Sequence, residues 1–137
     1  MSNFVFLERF LNENSKSNKD ISKTTYLKDI ENVEINDRNV SKIKAIYGEI
    51  PSIVQKIISY SSSSVFLDNG CRQLSISEII DADKDLEVDF GKLKMIPLFD
   101  CGENDFIVYN LKSNSWSKYN TNDNSVFKKS SSLKDLL

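Results

Sequence analysis

A chain of 137 residues with 39% hydrophobic and 28% charged side chains is long enough to bury one core and too apolar to stay unfolded. One domain spanning 1–137 is therefore expected. Lys and Arg number 18 against 20 Asp and Glu, and no run approaches the ~18 consecutive apolar residues of a membrane span, so a helical membrane protein and a strongly basic nucleic-acid binder are both excluded.

The apolar start Met1–Leu7 lacks a basic lead and is interrupted by Glu8 and Arg9, so no signal peptide is read and the cytoplasm is the expected location. Histidine is absent, which removes the commonest general base, the Ser-His and Cys-His pairs and every His-based metal site. That composition points away from an enzyme. Cys71 and Cys101 have no metal-ligand spacing and are too few for a disulfide framework, so they read as two free, partly buried thiols.

In chain order, Phe4, Leu7 and Leu11 recur at helical spacing beside Phe6 and Phe10, predicting an amphipathic helix from Ser2 or Asn3 to about Asn14. Residues 12–19 read as a loop. Residues 21–35 are ambiguous: Tyr26, Leu27 and Ile30 suit a helix, whereas Val33-Glu34-Ile35 alternates like a strand. Asn36 or Asp37 should cap a helix with Val40, Ile43 and Ile46-Tyr47 inward, stopped by Gly48. Pro51 opens a second helix that runs out at Tyr60.

The period then changes. Val65-Phe66-Leu67 is a short strand ended by Asp68-Asn69-Gly70, and Leu74 and Ile76 suggest another. Ser77 is the expected cap of a helical turn through Ile80. Asp85-Leu86-Glu87-Val88-Asp89-Phe90 alternates strictly, predicting a half-buried strand. Leu93–Phe99 carries Pro97, which should put it at an edge or end it soon afterwards. After a turn over Asp100–Asn104, Phe106–Tyr109 and Trp116–Tyr119 form a hairpin with cross-strand aromatic contact, Val126-Phe127 adds an edge strand, and a short terminal helix carries Leu133, Leu136 and Leu137. Helices first and an antiparallel sheet afterwards is the α+β pattern, with helices over one sheet face and a short C-terminal helix.

No glycine-rich phosphate loop is present, and no Cys or His pair has zinc spacing. Asp81-Ala82-Asp83-Lys84-Asp85 resembles the start of a calcium loop, but Leu86 stands where the sixth-position glycine belongs and Lys92 where the twelfth-position glutamate belongs. No metal or cofactor is expected. Charge is unevenly spread: residues 78–105 hold nine acidic and three basic side chains, whereas 106–137 hold two acidic and five basic. Glu78, Asp81, Asp83, Asp85, Glu87, Asp89, Asp100, Glu103 and Asp105 are the candidate partner-binding residues, with Asp85, Glu87 and Asp89 on one face of the expected strand. Such a surface suits a basic protein partner and repels nucleic acid.

The order of several short motifs is similar to that of the SUKH superfamily. Val40–Tyr60 contains a helix ending in Tyr47-Gly48, then Ile50-Pro51 opening the next. Asn69-Gly70 resembles the family's turn, Ser75-Ile76-Ser77-Glu78-Ile79 the segment that follows, and Ile96–Ile107 its Ile-Pro strand, turn and Asp-initiated strand. Ser132–Leu137 is similar to its closing helix. The likeness covers 36–137, leaving 1–35 as a helical extension, and the family's double-glycine turn is reduced to Gly102.

The resemblance implies an α+β domain whose bacterial members are mostly immunity proteins that bind and neutralise a cognate toxin, often a nuclease. It implies no catalytic residues. The expectation is thus an immunity protein acting as a monomer or weak homodimer, touching neither nucleic acid nor membrane. The alternative is a regulatory or scaffold module for protein interactions.

Overall fold

The computed structural model describes residues 20–137, so the expected helix over 2–14 and the loop after it lie outside the described residues. Three helices come first: α1 (Lys23–Glu31), α2 (Asp37–Tyr47) and α3 (Ser52–Tyr60). The ambiguity at 21–35 resolves as helix, because Ser22 caps α1 by accepting from the Thr25 N–H while Tyr26 and Ile30 are buried. Asn36 caps α2 through the Asn39 N–H, and Gly48 ends it at φ 81°, a left-handed value that glycine adopts without cost. Pro51 sits one residue before α3, whose Val54, Ile57 and Ile58 are inaccessible to solvent. Burying each stabilises by roughly 1.5–3 kcal/mol before the cost of ordering.

The remaining elements are β1 (Val65–Phe66), β2 (Arg72–Gln73), α4 (Ile76–Leu86), α5 (Phe90–Leu93), β3 (Met95–Asp100), β4 (Asp105–Asn110), β5 (Ser115–Asn120), β6 (Ser125–Ser130) and a 3₁₀ turn, Leu133–Asp135. All six strands form one antiparallel sheet in sequential order. The fold is therefore α+β, with the expected short closing helix reduced to one 3₁₀ turn that buries Leu133 and leaves Leu136 buried behind it. Pro97 lies at a register shift between Pro97 and Phe99, and β3 continues past it to Asp100. Its missing N–H is harmless there, because β2 pairs only with Phe99 and Asp100.

Two expectations are corrected. The sheet is covered on both faces, not one. Phe99 stands opposite Ile107 and Tyr119 opposite Phe106, and residues 106 and 107 point to opposite faces. Tyr26 of α1 meets Phe99 edge-on at 5.7 Å and Phe90 of α5 meets Tyr119 at 5.6 Å, so the two helices approach from opposite sides. Phe106 to Tyr109 are consequently all buried.

The second correction concerns Asp85–Phe90, which is not a strand. Ser75, not Ser77, starts α4 through a reciprocal capping box with Glu78, and the helix runs on to Leu86. Glu87 ends it in the left-handed conformation at φ 57°, and Asp89 caps α5. Leu86, Val88 and Phe90 are buried and Glu87 and Asp89 exposed, so the alternation survives as inside and outside positions of a helix–helix corner. Asp85 breaks it, being buried itself, so Asp85, Glu87 and Asp89 do not share a face.

Buried polar side chains tie the layers together. The Asn39 amide donates to the Ile58 carbonyl at 3.2 Å, joining α2 to α3. Gln73 accepts from the Tyr26 hydroxyl and donates to the Ile57 carbonyl at 3.0 Å, linking α1 and α3 to β2. No described helix is long and apolar enough to cross a membrane.

Candidate functional site

The nine acidic candidates divide into three groups. The first is a closed ion cluster. Glu78, fully buried, accepts from Arg72 at both carboxylate oxygens, Oε1 at 2.7 Å and Oε2 at 2.9 Å. Its Oε1 also accepts from Ser64 Oγ at 3.0 Å and from the Ser75 N–H at 3.0 Å. Asp100 completes the cluster, its Oδ2 at 3.4 Å from Arg72 Nη2 and its Oδ1 accepting the Gly102 N–H at 2.9 Å. Burial raises the Asp100 carboxyl above its ordinary pKa, outweighing the opposing pull of the Gly102 N–H and the guanidinium. This cluster joins β2, α4 and β3. Glu78 has no surface left for a partner, and the Ser-x-x-Glu spacing at 75–78 is the signal that its carboxylate is occupied locally. Arg72 was missed in the sequence because a lone arginine carries no mark of burial.

The second group is the corner between α4 and α5. Asp83 accepts the N–H groups of Phe90 (2.9 Å) and Gly91 (3.1 Å), placing a carboxylate on the first turn of α5. Asp89 accepts the Lys92 N–H at 3.2 Å. Burial raises the Tyr47 phenol, and the nearby charges of Asp83 and Asp89 raise it further, so α2 supplies the third wall of the corner. Glu87 and Asp89 are exposed, Asp81 and Asp83 partly buried, and Asp85 lies beneath them.

Exposed apolar side chains border these carboxylates. A Cβ on Gly91 would lie 3.4 Å from Asp83 Oδ2 and 3.8 Å from Ile46 Cγ2, so the Ile46 side chain reaches this corner. Ile46 and Ile80 are each 39% exposed, and Ile80 precedes Asp83 by three residues on the same helical stripe. The corner thus combines fixed negative charge with two solvent-facing isoleucines.

The third group, Glu103 and Asp105, belongs to the β3–β4 turn, in which Gly102, Glu103 and Asn104 all have positive φ. Asp105 accepts from the Asn120 amide at 2.7 Å, while Glu103 is exposed.

Elsewhere an open groove of about 490 Å³ lies between α1 and the 3₁₀ turn, lined by Lys23, Leu27, Lys28, Glu31 and Lys134 among others. Its mixed lysines and carboxylates select no ligand charge. Among the described residues no group of three or more His, Cys, Asp or Glu is placed to hold a metal ion. Compared with models of protein families, with curated proteins and with solved structures, the chain matches none.

Proposed function

We propose that this protein is an immunity protein of the SUKH type, which binds a cognate bacterial toxin domain and blocks it sterically and electrostatically. The observation that carries the reading is the α4–α5 corner, where exposed Glu87 and Asp89 and partly buried Asp81 and Asp83 lie beside exposed Ile46 and Ile80. Interfaces of high affinity pair apolar anchors with a charged surround, the anchors holding the complex and the charges steering encounter with a basic partner. Asp83 and Asp89 are held by backbone N–H groups, so little side-chain freedom is lost on binding. The motif order over 36–137 supports the same reading, and a nuclease is the toxin class that an acidic, phosphate-like surface fits best.

Co-expression with the product of the adjacent gene tests the function: rescue of growth and co-purification are expected, and failure of both overturns it. The Glu87→Lys/Asp89→Lys variant tests the surface. It is expected to slow association by about tenfold or more at low salt and to flatten its salt dependence, since steered rates exceed unsteered ones by 10–10³. Unchanged association kinetics would remove the corner as the contact.

A second reading, a regulatory or scaffold module, is favoured by β6. No described strand pairs with its outer side, and Val126 and Phe127 are exposed along it, an arrangement that suits addition of an extended peptide. Binding that is lost in Phe127→Lys but kept in the corner variant would select this reading.

A further inference from the structure

The fold brings the chain's two cysteines together. The β2–β3 ladder pairs Gln73 with Phe99 and Arg72 with Asp100, and one step further sets Cys71 across from Cys101. The Cys101 N–H is directed into the adjoining hairpin, donating to the Asp105 carbonyl at 2.8 Å, and the Cys71 carbonyl accepts from the Leu67 N–H at 2.9 Å on the opposite side. Neither backbone bonds the other, so this is a non-hydrogen-bonded cross-strand position, flanked by the Arg72–Asp100 pair. Facing Cα atoms at such positions lie ~4.5 Å apart, within the ~4.4–6.8 Å that a disulfide spans. Both cysteines are free, and each thiol stands close enough to the other to shift its ionisation.

The setting also favours exchange chemistry. Cys101 is partly exposed, giving a small disulfide a way in, and Cys71 is 8% exposed. Their interaction with each other lowers the Cys71 thiol and raises that of Cys101. Lys118 favours a thiolate at either sulfur, and Asp100 opposes it. Lys118 pairs with Ile107, which in turn pairs with Phe99, so the ammonium stands on the same sheet face as Cys101.

We propose that Cys71 and Cys101 are a reversible redox pair that closes to a disulfide, clipping β2 to the head of the β3–β4 turn. The oxidant is a small disulfide of the glutathione class. The Cys71 sulfur attacks one sulfur of that molecule, breaking its S–S bond; the released thiolate takes up the Cys71 proton and leaves a mixed disulfide. Cys101 then attacks the Cys71 sulfur, forming the Cys71–Cys101 bond and expelling the second thiolate, which takes the Cys101 proton. The protein loses two electrons and two protons, and the oxidant gains them as two thiols. Excess reduced thiol reverses both steps. The bond would hold the turn that carries Glu103 and Asp105 against the strand that carries Arg72.

The test uses the full chain, equilibrated with defined ratios of reduced and oxidised glutathione, then alkylated and weighed intact. Both thiols are expected to disappear together as the ratio turns oxidising, giving a monomer lighter by two hydrogens, a Cys71–Cys101 cross-linked peptide and full recovery with dithiothreitol. The oxidised form should also unfold at a higher denaturant concentration than the reduced form. In Cys101→Ser, Cys71 should stop as a stable glutathione adduct, because no second sulfur resolves it. Two separate adducts on the wild type, a disulfide between chains, or thiols that stay free when the urea-unfolded chain reacts would each overturn the proposal. The wild-type measurement stands even where a serine variant fails to fold.

Discussion

Arg72 and Glu78 form a bidentate pair whose side chains are 3% and 0% exposed, with Ser64 and Ser75 donating to Glu78 and Asp100 beside Arg72. Burying both ions is costly, and their attraction repays that cost only because each oxygen of Glu78 is satisfied. Removing one charge leaves the other stranded. Glu78→Gln is therefore expected to destabilise the protein by about 3 kcal/mol, a large share of the ~5–15 kcal/mol typical of a domain. Replacing both partners by apolar residues, Arg72→Met with Glu78→Leu, should recover part of that loss, because the two most buried ions go together and only Asp100, which keeps some exposure and the Gly102 N–H, loses a counter-charge. Urea unfolding midpoints of the single and double variants check this; equal destabilisation in both would show that the pair itself, and not the stranded charge, sets the stability. Asp100 behaves differently. Its carboxyl is raised by burial, so it favours the folded state below the unfolded carboxyl pKa, and that contribution is lost as pH rises through the raised value.

At the scale of elements, α5 depends on carboxylates more than on length. It spans only Phe90–Leu93, too short to persist alone, yet three of its N–H groups are taken by Asp83 and Asp89. Asp83→Ala should cost about 1–2 kcal/mol, in the range of a lost helix cap, and Asp83→Asn less, since one carbonyl oxygen still accepts from either Phe90 or Gly91. Hydrogen exchange at the Phe90 and Gly91 amides should rise in the same order, and exchange unchanged in Asp83→Ala would show that the cap is not holding the turn. The same corner explains which elements were legible in the sequence. Asn36, Gly48 and Pro51 punctuate α2 and α3 with residues whose preferences are strong, and Asn110 and Asn120 each accept two N–H groups in the turns of the hairpins they open. Tyr109 and Trp116 meet edge-on at 5.0 Å, as the hairpin alternation required. By contrast α4 ends at Glu87 and α5 at Lys94, both left-handed without being glycine or asparagine, so neither stop leaves a trace. A buried–exposed alternation over 86–90 then fits a strand as well as a corner, and only the capping box at 75–78 separates them. For the candidate site, the exposed Glu87 and Asp89 were readable from that alternation. The burial of Glu78 and Asp85 was not, because it depends on Arg72 and on helix packing distant in sequence.

Across the whole molecule, the sheet has two unequal edges. β1 is two residues long and is followed by Leu67, which bridges to Ile21, so little of that edge is open. β6 is six residues long, with Lys128 and Lys129 on it and Lys118 opposite Lys128, a concentration of like charge that discourages another strand from pairing. Phe127 works against that protection, being 52% exposed beside Val126. The acidic corner and this lysine-bearing edge would therefore engage a partner by different physics, one through charge steering and the other through backbone pairing beside an aromatic side chain. Phe127→Lys is expected to leave stability within ~0.5 kcal/mol, as for most surface substitutions, while lowering concentration-dependent self-association in sedimentation experiments. A destabilisation above ~1 kcal/mol would mean that the ring is covered by packing and is not a docking element. Unchanged self-association at unchanged stability would instead show that the lysines already close the edge, leaving the α4–α5 corner as the proposed contact surface.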